Sequence, residues 1–534
     1  MTRRCYSSPR MPTTRTTADR LAWLVPVAVF AVTLLWNVRT VLGETGGVFL
    51  YTDDTYIEMA IARSLSATGT WGLTPTAFSG VGTSLVWPWL LAPGEALHVG
   101  EWWPLALNVA CALAALAVAA RWLARSVPSA TIRAVTLALA VLATPLASVV
   151  SIGMEHSLQM LVTLSLGLLV ARALATSAPV SFGTLLAVGV LSALVAASRY
   201  DSLAVVVAAA MCATWARRWR LAAVLVVGGA GPVAIYALIS TSHGWPLVPA
   251  TVLLKHRVAD SAIELLLSGP LGVLIQARYM AVLLVAATAL LWWHRRSDDA
   301  IMRTTRWMLA MFVLATYAQL AFGAGGEFLQ RRYDAYLHVF GIIAVGSAIG
   351  VSLPAWQRDR AWAAIVCAAC VGLVCAFTCV NRTRSSGEVD AGWRRTQFLL
   401  TRQLAQLLAT PGLPSMPVVQ DLGEPSYVLR APVVDFDGLG TPDVLRAVRS
   451  RTWTAVEANA VARRYGARTA ALWQDDVTRS IIPADWISLG EWRVEGEAAL
   501  GFYALDADAA ERFRHALAAF DARLPLGVRA ILYR

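Results

Sequence analysis

Residues 202–240 read SLAVVVAAAMCATWARRWRLAAVLVVGGAGPVAIYALIS. Two apolar runs, 202–216 and 221–240, flank the basic turn Arg217, Arg218 and Arg220. Uncharged runs of about this length, repeated along a chain, cross a hydrocarbon layer as α-helices. A helix satisfies every backbone polar group within the segment, which lipid demands. Arginine concentrated in a short connection marks its cytoplasmic side. Span, basic turn and second span together set the fold class: a polytopic α-helical membrane protein.

The same pattern extends in both directions. Apolar length and flanking charge predict spans at 21–42, 104–123, 133–151, 157–175, 181–198, 202–216, 221–240, 271–293, 307–323, 335–353 and 361–380, about eleven in all. The run 84–97 (SLVWPWLLAPGEAL) is too short to span and carries Pro88 and Pro93, so it reads as an interfacial or re-entrant piece. Composition agrees: 57% of the 534 residues are apolar or aromatic and only 15% are charged, against roughly 25% charged in soluble proteins. Disorder, coiled coil and a disulfide-stapled secreted domain are excluded.

The chain carries 45 Lys and Arg against 34 Asp and Glu, a net charge of +11, and Lys255 is the only lysine. There is no basic helix with interleaved aromatics, so nucleic acid is not the partner. The excess lies in alternate short loops: Arg125; Arg217, Arg218 and Arg220; Arg295, Arg296, Arg303 and Arg306; Arg358 and Arg360. With Arg3, Arg4, Arg10, Arg15 and Arg20 at the start, the N-terminus is expected in the cytoplasm, and an odd number of spans puts the C-terminal tail outside. Segment 21–42 exceeds the apolar core of a signal peptide. Of seven cysteines, Cys367 and Cys370 form a CxxC inside a span with no histidine partner, which fits neither a metal site nor a disulfide framework.

Three parts follow: a cytoplasmic tail (1–20), a transmembrane domain (21–380) whose first outer loop is 43–103, and an extracytoplasmic α/β domain (381–534). In the last, GWRRTQFLLTRQLAQLL (392–408) has helical periodicity, and MPVVQD (416–421) and APVVDFDG (431–438) read as short buried strands. WTAVEANAVARRYGARTAAL (453–472) reads as helix into strand, GFYALD (501–506) as strand, and DAAERFRHALAAF (508–520) as a capped helix.

Polar groups near a bilayer are expensive and point to function. In this topology the unusual ones share the outer face: Asp53 and Asp54; Glu155 and His156; Arg199 and Asp201; His243, Lys255, His256 and Arg257; Glu327, Arg331, Arg332, Tyr333 and Asp334. An aspartate there suits a general base for a sugar hydroxyl, its neighbour orienting it or binding a cation; the competing reading makes Asp54 the N-cap of the stretch that follows. Lys255, His256 and Arg257 suit an anionic group, and Arg331 and Arg332 suit bidentate phosphate contact, or all of them anchor at the headgroups. Arg199 and Asp201 suit an ion pair closing a tight turn. Glu155 and His156 lack a third zinc-type ligand.

In combination and in order, these motifs resemble the GT-C superfamily of polytopic glycosyltransferases, the nearest branch being the actinobacterial arabinofuranosyltransferase-like group and its bacterial relatives. The resemblance is carried by FLYTDDTYIEMAIARSLSATGTWGLTP, AFSGVGTSLVWPWLLA, SIGMEHSL, SRYDSL (with Tyr200 where relatives carry proline), HGWPLVPATVLLKH (departing at His243 and Ala250), GAGGEFLQRRYDAYL (Glu327 for aspartate) and VVQDLGEPSYVLRAPVVDFDGLGTPDVL. It implies an inverting transfer from a polyprenyl-phosphate sugar to a glycan or lipid acceptor at the outer face of a bacterial plasma membrane. The base is Asp53 or Asp54, phosphate contacts come from Lys255, Arg257, Arg331 and Arg332, and Glu155, His156, Arg199, Asp201, His243, Glu327 and Tyr333 support them. The superfamily has cation-dependent and cation-independent members, so Mg, Mn or Ca at Asp53 and Asp54 stays open. A non-enzymatic transporter or flippase, or an inactive scaffold of the same fold, shares the spans. Transporters usually show internal repeats and helices broken at midplane, and neither is evident here.

Overall fold

The computed structural model describes residues 17–47, 50–255, 278–297, 299–322 and 332–533. Among these, helices occupy all eleven apolar segments. Six are long and apolar enough to cross a membrane: Ala22–Thr45, Trp102–Ser126, His156–Ala175, Trp219–Ser242, Ala335–Arg358 and Trp362–Leu408. Shorter apolar helices cover Ala130–Ala143, Phe182–Ser198, Tyr200–Trp215 and Met280–Trp293, and a further helix covers Ala300–Phe322. Their facing sides share one core, with Leu123, Val150, Leu166, Phe312 and Phe340 fully buried. Leu35, Trp36, Val227, Leu238 and Leu373 stay exposed, as lipid-facing side chains of a bundle do.

Three departures from the expected boundaries have local causes. Segment 133–151 is two helices, Ala130–Ala143 and Leu146–Ser151, parted at Thr144–Pro145, where proline lacks the N–H that would continue the ladder. The run 84–97 forms the helix Trp87–Ala96 with proline in its first turn, packed on the helix Asp53–Thr68. The last span does not stop near 380. It runs unbroken as Trp362–Thr396 and passes through a π turn, Gln397–Thr401, into Arg402–Leu408. The helix read at 392–408 is therefore its continuation.

The tail carries a six-stranded mixed sheet in the order β2-β1-β3-β5-β4-β6, with β1 Val418–Val419, β2 Val434–Asp435, β3 Thr469–Trp473, β4 Ile487–Val494, β5 Leu500–Ala504 and β6 Val528–Leu532. β1 pairs in parallel with β2 and β3; the other pairs are antiparallel. Helices Pro442–Arg449, Ala455–Arg464 and Ala507–Asp521 complete the expected α/β layers.

The helix Asp53–Thr68 is the layer between bundle and tail. Ile57, Ile61 and Leu65 join the tail core with Leu400, Leu404 and Phe502. Tyr56, Met59 and Ala62 join Trp87, Ile152 and Met154 on the bundle side. Covered on both sides, the helix buries every residue from Thr55 to Ala62. Its remaining direction is free to carry polar groups inward.

Candidate active site

The helix opens at Asp53, so Asp54 is not its N-cap. That position belongs to Thr52, and no side chain caps there. Both aspartates instead sit in the first turn, where carboxylates complement the helix macrodipole. From adjacent positions they point to different partners.

Asp53 turns toward the tail. Its two carboxylate oxygens accept from the backbone N–H of Gly423 at 2.7 Å and of Glu424 at 2.9 Å. At the other end of the short helix Gly423–Leu429, Arg63 donates to the carbonyls of Ser426 and Tyr427. One helix of the first loop thus supplies the anion at the start of the tail helix and the cation at its end, each where the helix dipole favours it. Burial raises the Asp53 pKa, with Asp421 adding to the rise and the two N–H groups opposing it.

Asp54 turns toward the bundle. Arg332 donates to it at 2.6 Å, and both side chains are nearly buried. Arg332 lies 5.3 Å from the ring centre of Tyr333, and Arg199 lies 4.7 Å from the same ring. Arg199 reaches Glu155 at 2.6 Å and closes its own turn on Asp201 at 2.9 Å. His156 meets Tyr333 edge-on, with ring centres 6.2 Å apart. Four of the five polar clusters expected on the outer face, from segments up to 278 residues apart, therefore converge on one buried site.

Two members were not singled out in the sequence. Glu58, one turn after Asp54, is fully buried. One of its oxygens accepts from the Thr83 N–H at 2.6 Å and from the Thr83 hydroxyl at 2.7 Å. The same hydroxyl lies 3.4 Å from Glu155. Burial, then the Glu155 charge, push the Glu58 carboxyl up to about 8. An acidic residue at i+4 from the doublet was the available signal. The network closes a circuit from Asp54 through Arg332, Tyr333, Arg199, Glu155 and Thr83 to Glu58, back on the helix where it began.

The other expected residues fall elsewhere. Asp334 forms a separate buried pair with Arg382 at 2.9 Å. His243, exposed at the end of helix Trp219–Ser242, stacks on Phe78 with ring centres 4.7 Å apart. Lys255 closes the helix Ala250–Lys255; His256, Arg257, Glu327 and Arg331 lie outside the described residues. Among the described residues no group of three or more His, Cys, Asp or Glu is placed to hold a metal ion. With Asp53 on two N–H groups and Asp54 on Arg332, the doublet does not present the converging open oxygens that a divalent cation takes.

No family model and no curated protein matches the chain. Among solved structures it is similar to ArnT from Cupriavidus metallidurans bound to undecaprenyl phosphate, with 15% identity, TM-score 0.49, and 91% of this chain and 98% of that one covered. It is similar also to the apo state of ArnT from the same organism, with 16% identity, TM-score 0.49, and 92% and 98% covered.

Proposed function

We propose that the protein is a GT-C-type glycosyltransferase of the bacterial plasma membrane, moving a sugar from a polyprenyl phosphate to a hydroxyl of a glycan or lipid acceptor. The observation that carries this reading is the pairing of Asp54 with Arg332 at 2.6 Å, in a site assembled where the membrane bundle meets the tail. A transferase acting on a lipid-linked donor needs a base and a cation together at that level. Asp54 accepts the proton of the acceptor hydroxyl. The acceptor oxygen then bonds to the anomeric carbon as the bond from that carbon to the phosphate oxygen breaks, with inversion. The electron pair leaves with the polyprenyl phosphate. Arg332, poised between Asp54 and Tyr333, meets the charge developing on the leaving phosphate, and Arg199, 4.7 Å from the centre of the same ring, supports it. Asp53 positions the helix and does not touch the reacting atoms.

The arginine asymmetry of the loops supports an N-terminus in the cytoplasm and a site and tail on the outer face. The motif order resembles the arabinofuranosyltransferase-like branch, which makes a polyprenyl-phosphate pentose the first donor to try.

The test uses the purified full chain in detergent with a panel of polyprenyl-phosphate pentoses and hexoses and a membrane extract as acceptor, reading release of free polyprenyl phosphate. Release by the wild type and its loss in Asp54→Asn support the reading. No release from any donor, or equal release by both proteins, overturns it.

A further inference from the structure

We propose that the cleft between the loop after helix Trp219–Ser242 and the tail helix Pro442–Arg449 seats the headgroup of an anionic membrane phospholipid. The cleft holds about 760 Å³, within the range of small-molecule sites. Trp245, Pro246, Pro442 and Leu445 make its apolar lining, and Arg446 and Arg449 its basic edge. The site is separate from the transfer chemistry and does not depend on it.

Two observations point to a lipid and not to a soluble anion. Leu238, Ile239 and Leu247, on either side of the turn that leads into the cleft, are large apolar residues left exposed, as side chains that face lipid would be. Acyl chains lying there would bring a headgroup to Trp245 and Pro246, and tryptophan at that depth is characteristic of the membrane interface. Trp245 is also held firmly. It lies against Gly80, where an added Cβ would come within 2.6 Å of its ring, and Ala250 donates to the Gly80 carbonyl at 2.9 Å.

The charge is complementary to a phosphodiester. Arg446 shares Asp443 with Arg464. Among the described residues no carboxylate pairs with Arg449, and Arg451 follows it at an exposed position. Of the two arginines that line the cleft, Arg446 thus meets a carboxylate that also answers Arg464, and Arg449 forms no ion pair among the described residues. Arginines in a last helical turn also complement the helix dipole, but that role does not call for an apolar wall facing them.

Native mass spectrometry of the full-length protein in detergent, titrated with phosphatidylglycerol or with phosphatidylcholine of the same acyl chains, tests the proposal. The wild type should retain phosphatidylglycerol in preference. Each arginine near a membrane surface contributes about fivefold, so Arg446→Gln/Arg449→Gln should lose roughly twenty- to thirtyfold of that preference, and Arg446→Lys/Arg449→Lys should keep most of it. The proposal is overturned by an unchanged preference in the glutamine variant, or by an equal loss in the lysine variant, which would mark a structural role. It is also overturned if inorganic phosphate displaces the lipid as fully as added phosphatidylglycerol does, because the apolar wall would then contribute nothing.

Discussion

Asp53 and Gly423, 370 residues apart, meet at 2.7 Å through a carboxylate oxygen and a backbone N–H. Their backbones are so close that a Cβ built on Gly423 would stand 2.0 Å from the Asp53 carbonyl oxygen. The seam between bundle and tail therefore requires glycine at this position for reasons of space.

Gly423→Ala should open that seam and cost about 1–3 kcal/mol, the usual penalty of forced overpacking. Gly392→Ala, in the long helix where an added Cβ meets nothing within 4 Å, should be neutral or slightly stabilising. Thermal unfolding of both variants in detergent checks the pair; equal melting temperatures would show that the seam yields freely.

The two aspartates should separate by substitution. Asparagine at 53 keeps one acceptor oxygen and turns an amide donor toward an N–H, so Asp53→Asn should lose about 1–3 kcal/mol of stability and transfer at a reduced but measurable rate. Asp54→Asn should fold and lose about 10²–10⁴-fold in turnover, the range of a general base. The reverse pattern would move the base to Asp53.

Removing Arg332 breaks a nearly buried ion pair with Asp54. Arg332→Gln should destabilise by about 3–5 kcal/mol. The double variant Asp54→Asn/Arg332→Gln should be less affected than the sum of the singles, by about 0.5–3 kcal/mol. A double-mutant cycle on unfolding free energy measures this; strict additivity would mean that the two side chains do not act on one another.

Glu58 predicts the sign of a pH effect. Its carboxyl is raised from 4.5 to about 8 in the folded protein, so between those values the folded state holds a proton that the unfolded state has released. Stability from this group is complete below the lower value and falls as pH rises through the upper one. Glu424, raised by burial to about 8, acts in the same direction. Melting temperature should fall between about pH 5 and about pH 8, and Glu58→Gln, which keeps the neutral shape, should flatten the slope. An identical slope in wild type and variant would show that Glu58 is already ionised at the lower pH.

Much of this organisation was legible because hydrocarbon imposes a length on each span. Among the described residues ten of the eleven runs gave one helix each and 133–151 gave two, and four of the five polar clusters read to one face met, as a shared depth requires. What stayed hidden had specific causes. Glu58 lies in a helix covered from two sides, so Thr55 to Ala62 show no alternating stripe by which an inward acid would stand out. Strand β4, ISLGEWRV, contains glycine, and its burial runs over four consecutive residues instead of alternating, which removes the period of two that marks a strand. The clamp of Asp53 on Gly423 is a long-range fit between backbones, and local periodicity carries no trace of it.

The 35-residue helix Trp362–Thr396 measures about 50 Å, against a hydrocarbon thickness of about 30 Å. Within one continuous rod, Arg382 is held by Asp334 in the bundle and Arg394 by Glu44 near the first loop, and the π turn beyond delivers Leu400 and Leu404 into the tail core. Such a rod acts as a lever. A spanning helix meets a thinner bilayer by tilting, and here the tilt is carried past the membrane to the layer that bears both aspartates. Transfer rates in bilayers of graded acyl length would register it, and a flat response would mean that the rod bends. A graded response would make membrane thickness a mechanical input to the chemistry, acting with no ligand as intermediary.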